Sequence, residues 1–324
     1  MAGKTFVTAG IVCVVGLASL LGATEPPPIP PGYESELAVM AALATRQVKL
    51  IDGKNLVVPA GVEETLGVEY GQGGGRPLQL DLYVPTGRAK AGPAILFIHG
   101  GAWKSGKRGD LKYYCVKFAE KGYVTATASY RLTQEAPFPA AVEDVKCAVR
   151  WLRANAATYQ IDPNRIAVSG NSAGGHLALM VGYSDDPSLE GAGGNPGVSS
   201  RVCAVVDFYG PADLTTEYAR KQKLITDFLG GKTFEEAPEV FKQASPLAHL
   251  TKDDPPTLIF QGTLDNLVPV AQSDALAVKL KELGIDRVYE RYEGWPHAMD
   301  VAEAVNRRCL YQMEQFFRKH VSNE

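Results

Sequence analysis

No run of lysine or arginine occurs in the 324 residues, and a formal net charge of −3 is small for that length. A nucleic acid or an anionic membrane surface is therefore not the expected partner. There is no HExxH sequence and no paired-cysteine spacing of the zinc-binding kind, so neither a metal nor another cofactor is expected. Histidine is scarce, at five residues, which leaves few positions for a general base. Cysteine is equally scarce, and no internal repeat or low-complexity stretch stands out beyond one proline-rich spacer. A composition 45% apolar and 21% charged is that of a globular enzyme, in one large or two ordinary domains.

Long apolar runs are absent except at the N-terminus. Residues Met1 to Ala23 carry one positive charge, Lys4, then an uncharged apolar run from Phe6 to Leu21 and small residues at Gly22 and Ala23. That is the grammar of a signal peptide and predicts export to the periplasm or the extracellular space. The alternative is an uncleaved anchor through residues 4–21, since the run approaches the roughly 18 to 20 residues that span a bilayer. Cys13 follows Val12 rather than a small residue, and so does not read as a lipoprotein anchor. Export would permit disulfides among the other four cysteines. Cys147 and Cys203 sit on apolar faces, as core residues do. Cys115 and Cys309 fall on two predicted helices on one side of the sheet, and a bridge between them is a hypothesis that requires close Cα approach. The spacer Thr24 to Gly32, TEPPPIPPG, predicts an extended linker that leaves the rest of the chain free of its leader. It opens an N-terminal extension that reaches residue 63.

From residue 64 the pattern changes. Thr65 to Tyr70 and Leu78 to Tyr83 alternate polar and apolar residues, like edge strands joined by the glycine-rich turn Gly71 to Gly75. Ala94 to Ile98, Tyr123 to Thr127, Arg165 to Val168, Val202 to Phe208 and Thr257 to Phe260 are short apolar runs suited to strands buried on both faces. Arg287 to Tyr292 would be the last strand. Helical patterns fall between them: Leu111 to Lys121, Ala140 to Tyr159, Ala173 to Tyr183, Val270 to Leu283 and Met299 to Val321. The alternation predicts an α/β fold, doubly wound, with helices on both faces of a mostly parallel sheet. One interval, Pro211 to Asp254, is too long for an ordinary connection and contains helical pieces at Thr215 to Leu229 and Pro238 to Gln243. It reads as a small cap or specificity insertion over the C-terminal strand ends.

Between a strand and a helix lies Gly170-Asn171-Ser172-Ala173-Gly174, which fits G-x-S-x-G, the sharp turn that exposes a serine hydroxyl above a sheet. Alone the pentapeptide is weak, since small-residue turns are common in α/β proteins. A serine nucleophile needs a base, and the base needs an acid to hold its tautomer. His297, in GWPHAMD after the last predicted strand, has the required place in the order serine, acid, histidine. Asp265 follows the strand Thr257 to Phe260 and is the favoured acid, with Asp207 as the alternative. His176 reads as a satisfied core residue behind the turn, and His249 and His320 as packing or solvated residues. His99-Gly100-Gly101-Ala102-Trp103 follows the strand Ala94 to Ile98 and reads as a donor loop, with Gly101, Ala102 and Ala173 offering N–H groups to an oxyanion. His99 would shape that loop. His99, Gly100, Trp103, Asn171 and Trp295 are candidates for the substrate pocket.

With these residues in place the chain, from about Thr65 onward, resembles the α/β-hydrolase esterases and lipases that carry an HGG loop. That group includes the hormone-sensitive-lipase-like branch and bacterial acetylxylan and feruloyl esterases. The similarity extends to ASYRL, FPAAVEDVKCAVRWL, DPNRIAVSGNSAGGHLA and QGTLDNLVP. The resemblance implies an eight-stranded sheet, Ser172 as nucleophile, His297 as base and Asp265 as orienting acid. It also implies hydrolysis of short-acyl or feruloyl esters, on small molecules or polysaccharide. Asn171 stands where an aspartate is usual and Ala102 where a third glycine is, which favours the carbohydrate-esterase side. Kynurenine formamidases share HGG-x-W and G-x-S-x-G, but a leader argues against an intracellular role. Prolyl-oligopeptidase-type peptidases share the elbow but bring a propeller for which there is no room. A non-catalytic binding protein on this fold would be expected to lose a triad residue, and none is missing.

Overall fold

Residues 94 to 98 point alternately into two cores: Ala94, Leu96 and Ile98 pack in one, Ile95 and Phe97 in the other. Successive side chains of a strand leave opposite sides of the pleat, so a strand of this kind must be covered on both faces. The computed structural model describes residues 25–53 and 56–322. Its strands are β1 (Val62–Gly73), β2 (Arg76–Pro85), β3 (Gly92–Ile98), β4 (Val124–Ala128), β5 (Ile161–Asn171), β6 (Ala204–Phe208), β7 (Thr257–Gly262) and β8 (Arg287–Tyr292). They form one sheet in the order β1-β2-β4-β3-β5-β6-β7-β8. β2 pairs antiparallel with β1 and β4, and every other pairing is parallel.

Helices α2 (Lys112–Ala119) and α10 (Glu303–Phe317) cover one face, and α3 (Ala140–Ala154), α4 (Ala173–Tyr183) and α9 (Ala271–Glu282) the other. This is the α/β architecture with helices on both faces that the alternation of strands and helices predicts, and the eight-stranded sheet that the resemblance to α/β-hydrolases implies. A short helix α1 (Glu36–Ala44) precedes the sheet. The interval 211–254 carries four short helices, α5 (Glu217–Arg220), α6 (Lys223–Phe228), α7 (Pro238–Gln243) and α8 (Pro246–His249). The expected continuous helix from Thr215 to Leu229 is thus broken into two at Gln222.

Other differences arise where pairing overrides local pattern. The hairpin turn is only Gly74–Gly75, both at positive φ, because β1 and β2 stay paired as far as Gly73 and Arg76; two successive positive φ values are the two-residue hairpin geometry that glycine favours. β5 begins at Ile161 rather than Arg165, since Ile161 pairs with Gly92. The C-terminal helix starts at Glu303, after a separate turn over Met299–Val301.

The proline-rich segment is not a free linker. Arg308 donates to the Pro27 carbonyl at 2.9 Å, Trp295 Nε1 to the Pro30 carbonyl at 3.1 Å, and Tyr33 N to the Gly294 carbonyl at 2.9 Å. A proline run has no N–H groups to satisfy its own carbonyls, so the folded body supplies the donors. Cys115 and Cys309 do pack in the same core, but as free, buried thiols. Cys309 Sγ lies 3.5 Å from the Tyr292 hydroxyl instead of bridging. The expected leader, residues 1–23, lies outside the described residues. Among those described, no helix is long and apolar enough to cross a membrane.

Candidate active site

Ser172 joins β5 to α4 with φ 55° and ψ −120°, a region that costs a non-glycine residue about 1–3 kcal/mol and persists only where neighbours enforce it. The enforcement is visible. Ser172 N donates to the Phe208 carbonyl at 2.8 Å and the Ser172 carbonyl accepts from His176 N at 3.0 Å. A Cβ on Gly170 would lie 2.1 Å from the Gly174 carbonyl oxygen, and one on Gly174 2.0 Å from that of Ile98. Glycine at both positions is what lets the turn close against β3. Ala173 begins α4, so its N–H has no carbonyl four residues earlier to bond, and the end of the helix favours negative charge beside Ser172.

His297 follows β8 and Asp265 follows β7. His297 Nε2 lies 3.0 Å from Ser172 Oγ, and Nδ1 lies 2.6 Å from Asp265 Oδ2. The carboxylate is held on every side: Oδ1 accepts from Leu267 N at 2.9 Å and Val268 N at 2.8 Å, and Oδ2 also accepts from Gln261 Nε2 at 3.1 Å. Gln261 is itself oriented by Ser273 Oγ. Because the acid is acceptor-only, Nδ1 of His297 must carry the proton and Nε2 is free to accept one from serine. Asp207, the alternative acid, is fully buried and accepts from Gly210 N at 2.9 Å. Burial pushes its carboxyl well above the usual range, and the contact with His297 belongs to Asp265.

The donor loop takes positive φ at Gly101, Ala102 and Trp103 in succession. Ala102, Trp103, Ser172, Ala173 and His297 all line one pocket. Gly101, expected as a donor, lies one residue back and does not line it. Four of the five pocket candidates are also elsewhere, each for a local reason. His99 is buried, with Nδ1 2.8 Å from the Gly100 carbonyl and its ring stacked on Tyr130. Gly100 gives its N–H to Asn171 Oδ1 at 2.9 Å, so Asn171 acts on the loop rather than facing the pocket. Trp295 is turned away to Pro30 and Tyr33.

Trp103 does reach the pocket, and His176 holds it there. Trp103 Nε1 donates to His176 Nδ1 at 3.2 Å, which leaves the proton on Nε2, 2.8 Å from the Ala244 carbonyl. The Trp103 contact requires an unprotonated Nδ1 and so a neutral ring, and burial lowers the His176 pKa to about 4. An unfolded histidine titrates near 6.5, so the unfolded chain binds the extra proton first as pH falls. Stability is therefore expected to decline from pH 6.5 toward 4, by on the order of 3 kcal/mol from this group. Urea unfolding across that range checks it: His176→Gln should show a shallower decline, and an identical slope in both proteins would refute the assignment.

The rest of the pocket was not singled out in the sequence. Tyr218, Gln222, Leu224 and Ile225 come from the 211–254 insertion, with Pro211 at its start, and Leu267 and Val268 follow the acid. The signal for that wall was the length of the 211–254 interval, which reads as a cap or specificity insertion without naming the residues that face the pocket. Leu224 and Leu267 are 41% and 60% exposed, which leaves an apolar rim beside Ser172.

A model of the BD-FAE family matches residues 80–280, more than half of the chain. The chain belongs to the BD-FAE family. This member is similar to Esterase LipQ of Mycobacterium tuberculosis, 32% identical over 76% of the chain and 60% of LipQ. Among solved structures it is similar to a truncated carbohydrate esterase from gut microbiota, at 29% identity and a TM-score of 0.70 over 79% of the chain and 95% of that structure. It is also similar to the butyrate-bound esterase Est2 of Thermogutta terrifontis, at 29% identity and a TM-score of 0.70 over 80% and 94%. The chain spans less than two thirds of the length of LipQ.

Proposed function

We propose that the chain is a serine hydrolase of carboxylic esters with short acyl groups. The observation that carries this reading is the unbroken line from Asp265 through His297 to Ser172, opening on the pocket beside Ala102 and Ala173. Ser172 Oγ attacks the ester carbonyl while its proton passes to His297 Nε2, and Asp265 stabilises the imidazolium. The oxyanion takes the N–H groups of Ala102 and Ala173. His297 then protonates the leaving alcohol, and a water activated by the same nitrogen releases the acid from the acyl-serine.

The substrate is proposed to be an acetylated or feruloylated polysaccharide met after export. The similarity to a carbohydrate esterase and to an esterase structure holding butyrate supports this reading. Residues 211–254 then serve as the specificity element, since they supply one wall of the pocket. The test is a comparison of p-nitrophenyl acetate, butyrate and octanoate with acetylated xylan, feruloylated arabinoxylan and N-formylkynurenine. The octanoate is expected to fall behind acetate in kcat/KM by about tenfold or more, a scale that pocket fit can supply, and xylan to release acetate. Preference for octanoate would overturn the short-acyl reading, and N-formylkynurenine as best substrate would make the chain an amidase.

A further inference from the structure

Trp295 faces away from the pocket, yet it lies two residues before His297, is 4% exposed and is fixed from two sides. On the inner side its carbonyl accepts at 2.9 Å from Leu264 N, the residue before Asp265, and a Cβ on Gly262 would lie 2.2 Å from the same oxygen. Gly294 N donates to Thr263 Oγ1 at 2.9 Å, and Thr263 N to the Tyr292 carbonyl at 3.1 Å. The loop that carries the base is thus stitched to the loop that carries the acid. On the outer side lies the proline-rich segment. The Pro30 carbonyl accepts from Trp295 Nε1 at 3.1 Å, Tyr33 N donates to the Gly294 carbonyl at 2.9 Å, and the Tyr33 and Trp295 rings meet edge to face, with centroids 5.5 Å apart. The upstream end is held as well: Arg308, which donates to the Pro27 carbonyl, is itself locked to Glu290 of β8 by bonds of 3.0 and 2.8 Å.

These contacts bear on His297 because little can bend between them. Pro296 fixes its own φ and confines Trp295 before it to extended backbone, so the seat of Trp295 decides how His297 enters the site. The ring contacts to Asp265 and Ser172, at 2.6 and 3.0 Å, are hydrogen bonds that a shift of the loop would lengthen and weaken. Clearance between segment and loop is least at two glycines. A Cβ on Gly32 would lie 1.9 Å from the Glu293 carbonyl oxygen, and one on Gly294, at φ 71°, would lie 2.5 Å from Tyr33 N. Backbone meets backbone there, so neither side can yield by turning a side chain. We propose that residues 27–33 are a positioning strap: clasped by Arg308 and seated on Trp295, they hold the Gly294–Pro296 turn against the acid loop and so keep His297 Nε2 at Ser172, a role that rests on the serine-hydrolase reading of the same site.

Two substitutions separate this role from mere support of the fold. Gly32→Ala forces the strap away from Glu293 and changes nothing in the loop or the triad, whereas Trp295→Phe removes the indole donor and keeps a ring. Steady-state kinetics on p-nitrophenyl acetate are run well below the thermal midpoint, with near-ultraviolet circular dichroism to confirm folding. Gly32→Ala should lower kcat about tenfold, part of the roughly hundredfold that a misplacement of about 1 Å can cost. KM should move by less than about twofold, because no strap residue lines the pocket. Trp295→Phe should lose about threefold in kcat, and adding it to Gly32→Ala should cost nothing further, since a lifted strap no longer receives the indole N–H and effects that share one contact do not add. Ile29→Ala, on the same strap but 45% exposed, should match the parent. Unchanged kcat in Gly32→Ala, or losses that multiply in the combined variant, would overturn the proposal. Should Gly32→Ala fail to fold, Trp295→Phe decides alone, and unchanged kcat there is equally fatal. Ser172→Ala is the control: if it stays active the underlying reading fails, whereas an inactive Ser172→Ala beside a fully active Gly32→Ala defeats the positioning role alone.

Discussion

Replacing Ser172 with alanine is expected to lower kcat on p-nitrophenyl acetate by about 10⁵- to 10⁶-fold, the scale seen when a triad nucleophile is removed. No other hydroxyl can take over, because the His297 Nε2 contact is to Ser172 Oγ at 3.0 Å and the turn that presents it is fixed by backbone bonds to Phe208 and His176. Those bonds do not involve Oγ, so the thermal midpoint should stay within a few degrees of the parent. Alanine suffers the same positive φ as serine, so the substitution neither relieves nor adds backbone strain. Substantial remaining turnover in a folded Ser172→Ala protein would remove the basis of the whole mechanism.

Asp265→Asn should be nearly as damaging, by about 10⁴-fold in kcat, the magnitude associated with locking a catalytic histidine in the wrong tautomer. The reason lies in the donors around this acid. Leu267 N and Val268 N both point at Oδ1, so an amide must keep its oxygen there. Its NH₂ group then faces His297 Nδ1, which has to become an acceptor. The ring proton moves to Nε2, the atom that should receive the serine proton, and general-base catalysis stops. KM should change little, since Asp265 lies behind the histidine and does not line the pocket. Asp265→Glu tests the geometry instead, and should recover only part of the rate because the longer side chain cannot keep both the backbone bonds and the 2.6 Å contact.

Much of the site was legible because its parts are local. The elbow needs small residues on both sides of Ser172, the donor loop needs conformations found in HGGAW, and both signals occupy five consecutive positions. His297 and Asp265 were readable from their order after successive strands. What misled was adjacency: Trp295 is two residues from His297 and His99 three from Ala102, yet each side chain leaves its loop on the side away from the pocket. A one-dimensional neighbour says nothing about which side of the backbone a group is on when the backbone is irregular and no period of 2 or 3.6 applies.

Patterning and turn chemistry in the sequence by themselves determined the alternating strands and helices, the two-faced burial of the sheet and the position of the strained turn at Ser172. Tertiary structure alone decided that residues 27–33 dock on the body, that Cys115 and Cys309 stay apart as thiols, that Tyr218 to Ile225 wall the pocket, and that the buried Asp300 meets Tyr114 and Tyr209. The division has a physical cause. Hydrophobic period and backbone propensity act over a few residues and are written along the chain. Hydrogen-bond direction, thiol separation and the choice of which proline carbonyl meets which donor depend on atoms up to 281 positions apart, as between Pro27 and Arg308, and come into being only when the sheet has brought them together.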